Sequence, residues 1–146
     1  MPDRDGHTTS EKDAIKTPKI VVSFRIMEFT CSHHEITKVL GIQPTMTWSP
    51  GDRVRNTRLV RKENGWSIDI NLEDATDWHE QVEHLLSEVH PFHQDLARLC
   101  GDYYAELACI FYIAGDERPE IHFTPQQLRK LADLHAHIDV DLYLLE

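Results

Sequence analysis

Cysteine is scarce: Cys31, Cys100 and Cys109 are an odd number at irregular spacing, which excludes a fold stapled by a disulfide framework. Glycine is scarce too, and none of the six glycines builds a phosphate-binding loop or a G-x-S-x-G nucleophile elbow. Basic residues number 15 against 25 acidic ones, a formal charge of −10. An acidic body repels phosphate backbones, so nucleic acid is not an expected partner. No apolar run approaches the roughly 18 residues of a membrane span. The opening stretch MPDRDGHTTSEKDAIKTPK has no apolar core of the kind a secretory signal needs. These absences give the expectation of a cytoplasmic protein with no membrane contact.

What remains is enough for a core. The chain has 146 residues, 40% of them apolar, a usual size and composition for one globular domain. Residues 1–18 are polar and aperiodic and are expected to form a disordered tail; residues 19–146 are expected to fold as one α+β domain. Charge is unevenly spread. Residues 1–42 are neutral, residues 43–65 carry net +3, and residues 66–146 carry net −13.

Periodicity supplies the elements. Val22, Phe24 and Ile26 alternate with Val21, Ser23 and Arg25, the pattern of a half-buried strand over Lys19–Met27. Ser32 and Glu35 make a capping-box pair ahead of a short helix with Ile36, Val39 and Leu40 on one stripe, and Gly41 fits its stop. A short strand is expected through Thr45–Trp48, then a basic segment, Arg53–Lys62, as loop or exposed edge. Trp66, Ile68, Ile70 and Leu72 alternate cleanly as a strand. A helical pattern runs from Asp77, its expected cap, to Cys100, and Pro91 must kink or split it. Tyr103–Ile113 is apolar enough for a central strand, and a short strand is expected at Glu120–Phe123. Thr124, Pro125 and Gln127 open a helix that carries Leu128, Leu131 and Ala132 inward, and Ile138–Leu145 is the last strand. The order is β-α-β-β-α-β-β-α-β. It predicts a two-layer α+β sandwich, a mostly antiparallel sheet with helices on its apolar face. The other face would carry Ser23, Arg25, Ser67, Asp69, Glu106, Asp139 and Asp141.

Chemistry is thinly signalled. Ten histidines are present, but His33-His34, His90-x-x-His93 and His135-x-His137 complete no zinc spacing, and His79-Glu80-Gln81-Val82-Glu83 puts Glu where H-E-x-x-H needs its second His. No metal or other cofactor is expected. Asp139 and Asp141 share one strand face with Cβ atoms roughly 6–7 Å apart, a spacing open to acid/base work but ordinary on a wet strand. Cys31 precedes a helix start with His33 and His34 near it, the ingredients of an activated thiol. Trp48 and Trp66 flank the basic segment, where Arg beside Trp suits a contact surface.

The segment Gly41-Ile42-Gln43-Pro44-Thr45-Met46-Thr47-Trp48-Ser49-Pro50-Gly51-Asp52 is the most specific run in the chain. With the opening Ser23-Phe24-Arg25-Ile26, the strand start Gly65-Trp66-Ser67, the strand Glu106-Leu107-Ala108-Cys109 and the closing Ile138-Asp139-Val140-Asp141-Leu142-Tyr143, it resembles a bacterial family catalogued as domain of unknown function 4279. The resemblance covers about residues 20–145. It implies a compact α+β domain and brings no activity or catalytic residues with it. Pro50 stands where similar sequences tend to have a basic residue, which speaks against anion binding at that turn.

The reading that fits best is a non-catalytic protein-binding module with an acidic surface for a basic partner, by analogy an immunity-like protein that neutralises it. The expected contact residues are Trp48, Asp52, Arg53, Arg55, Asp69, Glu106, Asp139 and Asp141. Two alternatives stand beside it: a metal-dependent hydrolase using His and Asp residues, and a sensor of anionic small ligands using Arg53–Arg61. Homodimerisation through an edge strand is compatible with all three.

Overall fold

The computed structural model describes residues 19–145; the expected tail, residues 1–18, lies outside the described residues. Five strands and four α-helices follow one another as β1 (Ile20–Met27), α1 (His33–Leu40), β2 (Met46–Trp48), β3 (Gly65–Leu72), α2 (Trp78–Val89), α3 (His93–Cys100), β4 (Tyr104–Ala114), α4 (Pro125–Asp133) and β5 (Ala136–Leu145). The strands form one sheet in the order β2-β3-β1-β4-β5. Neighbours are antiparallel except β4 and β5, which run parallel. A parallel pair needs a crossover, and α4 supplies it. This is the α+β architecture that the periodicity predicts.

Burial explains the layers. On β1 the side chains of Ile20, Val22, Phe24 and Ile26 are buried; on β4 so are Ala105, Leu107, Cys109 and Phe111. They share a core with Ile36 and Leu40 of α1, Val82, Leu85, Leu86 and Val89 of α2, and Leu96 and Cys100 of α3. Trp78 anchors the start of α2, meeting Phe111 edge-on at 5.3 Å and Phe123 at 5.7 Å.

Local signals act as read at most ends. The Ser32 hydroxyl accepts from the Glu35 amide, and Gly41 ends α1 at φ 69°, a conformation that favours glycine. At α4 the capping box is complete: Gln127 N–H donates to Thr124, and Thr124 N–H donates to the Gln127 side chain. Pro91 splits the long helical region with a 3₁₀ turn at His90–Phe92.

Four expectations fail. No strand forms at Glu120–Phe123. The Glu120 carbonyl accepts from Trp78 Nε1 at 3.2 Å and from the His79 ring at 3.1 Å, so this segment is tied to α2 rather than to a sheet edge. Asp77 makes no capping bond; Asp74 caps the preceding 3₁₀ turn through the Thr76 amide. On α4, Leu128 and Ala132 face outward, while Gln127 and Leu131, with Leu134 just past the helix end, go inward. The helix layer also stops short of β5: Ile138, Val140, Leu142 and Leu144, on its helix side, are all exposed.

Candidate functional site

Since the helices take one side of the sheet, every second side chain of β1, β3, β4 and β5 points to the other. From β1 this open face receives Ser23, Arg25 and Met27; their cross-strand partners are Asp69, Ser67 and Gly65 on β3, and Ala108, Glu106 and Tyr104 on β4. The parallel register adds His137 beside Glu106, Asp139 beside Ala108, and Asp141 beside Ile110.

A hydrogen-bonded chain crosses this face. The Thr45 hydroxyl accepts from the Asp69 amide at 2.9 Å. Asp69 Oδ1 accepts from the Ser23 hydroxyl at 2.5 Å, and Ser23 in turn accepts from Arg25 Nε at 3.2 Å. Arg25 Nη1 pairs with Glu106 Oε1 at 3.3 Å, and Tyr104 donates its hydroxyl to Glu106 Oε2 at 3.0 Å. Ser23 is fully buried here, a polar group that its two partners satisfy. Burial, then the bond to Glu106, pushes the Tyr104 hydroxyl pKa upward.

Around the chain lies an aromatic rim. Tyr104 stacks on His137 at 4.7 Å and Tyr112 on Tyr143 at 5.5 Å. At the opposite end the Trp48 ring lies on Gly65, and the Arg61 guanidinium sits over that ring at 4.4 Å. Trp48 is only 6% exposed, its carbonyl accepts from His33 Nε2 at 2.7 Å, and its indole N–H is buried with no partner among the described residues. Arg25, Met46, Trp48, Arg61 and Asp69 line a small pocket of about 100 Å³.

Of the expected contact residues, Trp48, Asp69 and Glu106 meet on this face, and Asp139 and Asp141 stand exposed at its β5 end. Asp52 is absorbed by a turn, its Oδ2 accepting from the Ser49 amide at 2.8 Å. Arg53 bridges to Val60, and Arg55 lies near the exposed tip of the same two-stranded finger. Arg61 was grouped with Arg53, Arg55 and Arg58 in the basic segment, and their spacing of two or three residues gives no hint that Arg61 folds back onto Trp48. Ser23 was placed on the face but not as the hub between Asp69 and Arg25.

The cysteine hypothesis finds no support in the geometry. Cys31 Sγ contacts Cys100 Sγ at 3.2 Å, and burial raises both thiol pKa values, the reverse of an activated thiolate. His33 spends its ring nitrogen on the Trp48 carbonyl and packs perpendicular to Phe29 at 5.4 Å.

Fold and face together define a two-layer α+β domain with its helices on one side of the sheet and, on the other, a face whose centre at Ser23, Ser67 and Ala108 is buried by neighbouring side chains. The family model described as Domain of unknown function (DUF4279) matches residues 18–145, and the chain belongs to that family. No curated protein and no solved structure matches the chain. No helix among the described residues is long and apolar enough to cross a membrane.

Proposed function

We propose that this protein is a non-catalytic binding module whose open sheet face receives a basic protein. The carrying observation is the make-up of that face. Trp48, Met46, Arg25, Arg61, Tyr104, Tyr112 and Tyr143 are the residue types that dominate protein interfaces, and here they surround the Ser23–Arg25–Glu106 network. Asp139 and Asp141 extend it as an exposed acidic strip. The net charge of −10 adds a long-range field that draws in a basic partner. A role in neutralising such a partner, in the manner of an immunity protein, follows from this reading by analogy alone.

Size argues against the small-ligand alternative at this face, because a pocket of about 100 Å³ is well below the roughly 300–1,000 Å³ of usual ligand sites.

Capture of basic proteins at low salt tests the reading, with Asp69, Asp139 and Asp141 changed together to Ala. Glu80, Glu88 and Asp95, exposed on the helices, are changed together as the charge-matched control. Loss of a captured protein in the first variant only is the expected result. Equal loss in both variants, or retention in the first, overturns the proposal.

A further inference from the structure

On the helix side, away from the face just described, the fold joins residues that lie some forty positions apart. His90 and His93 bracket the 3₁₀ turn between α2 and α3. Three residues per turn eclipse positions i and i+3, and the two imidazoles accordingly stack at 4.7 Å with planes 12° apart. Asp133, the last residue of α4, reaches the same point: His90 Nε2 donates to its Oδ2 at 2.9 Å.

We propose that His90, His93 and Asp133 form a binding site for a divalent transition metal of the zinc class. One ligand atom from each of the three lies within 4.8 Å of the others. Donors at bonds of about 2.0–2.2 Å stand roughly 3.4 Å apart in a tetrahedral shell, so the trio must draw in by up to about 1.4 Å and reorient one ring. Two imidazoles and one carboxylate are the donor set such ions select, and three protein ligands leave a position for water. An orienting contact is already present: His93 Nδ1–H donates to the His90 carbonyl at 2.9 Å, which leaves Nε2 of that ring with its lone pair free.

Stacked rings cannot both aim an in-plane lone pair at one ion. Loading therefore turns one imidazole out of the stack, which partial exposure of both rings permits. Metal binding needs the lone pair of His90 Nε2, so the proton that this nitrogen donates to Asp133 must move through solvent to Nδ1, and the metal then takes its place between Nε2 and Asp133. The bound ion would clamp the α2–α3 turn to the end of α4, so it links two elements of the helix layer and leaves the sheet face untouched.

Titration of the untagged full chain with zinc chloride, followed by calorimetry and by the visible absorption of cobalt(II) as a substitute ion, tests this. One equivalent per chain is expected. His93→Gln and Asp133→Asn should each weaken binding about tenfold or more, and His84→Gln, outside the cluster, should leave it unchanged. The unmutated protein gives an independent readout: ring signals of His90 and His93 should shift on zinc addition. No binding, unchanged binding in both cluster variants, or shifts confined to other histidines such as the His79–His122 pair would overturn the site.

Discussion

The ring of Trp48 lies so close to Gly65, its register partner on β3, that a Cβ on residue 65 would fall inside the indole. Space, not backbone freedom, is what requires glycine here, because its φ is not positive. Gly65→Ala is therefore expected to overpack the site and destabilise the fold by about 1–3 kcal/mol. Urea unfolding followed by tryptophan fluorescence checks this, and Trp48→Ala, which removes the obstacle, should make the second substitution at Gly65 nearly neutral. A full penalty in the double variant would contradict the packing described.

Asp69 and Ser23 face each other across β3 and β1, with Ser23 fully buried. Asp69→Ala strips the hydroxyl of its acceptor and should destabilise by about 1–3 kcal/mol. Replacing both by Ala is expected to recover part of that loss, since no unpaired donor is left behind. Denaturant midpoints of the two single variants and the double variant give the coupling.

High pH should weaken the fold. Burial pushes Cys109 from an ordinary thiol value of 9.0 up to about 12, and Tyr103 from 10.0 up to about 12. Well below pH 8 both groups are neutral in the folded and the unfolded chain, so nothing is lost there. As pH climbs from about 9 towards 12 the unfolded chain ionises first, and stability falls. The urea midpoint should drop between pH 8 and pH 10.5, and Cys109→Ala should flatten part of that slope. A flat profile in the parent protein would contradict the burial of these groups.

Phe111 and Leu142 are register partners on β4 and β5, yet one is 1% exposed and the other 54%. Phe111→Ala is expected to destabilise by about 3–5 kcal/mol. Leu142→Lys, on the strand that the helices leave bare, should stay within about 0.5 kcal/mol. Thermal unfolding of the two variants separates them clearly, and similar losses would mean that β5 is covered after all.

Elements that depend on near neighbours were legible in the chain itself. The alternation at Val22-Phe24-Ile26 and Trp66-Ile68-Ile70 marks strands because side-chain direction repeats every two residues. Ser32, Gly41, Thr124 and Pro91 mark helix ends because caps and breaks act within four residues. The family resemblance, carried by the run from Gly41 to Asp52, came from the same local record. Glu120–Phe123 misled because strand-like alternation was outweighed by two side chains of α2 that claim the Glu120 carbonyl.

Composition and spacing thus determined the α+β class, most element boundaries and which strand face is polar. Only tertiary structure decided that Arg61 lies over Trp48, that Ser23 joins Asp69 to Arg25, that β5 stays uncovered, and that Asp133 meets His90 and His93. Hydrophobic periodicity records which side of an element is buried; it holds nothing about which distant element arrives on the other side. Those meetings are set by sheet order and crossover geometry, and both candidate sites consist of such meetings.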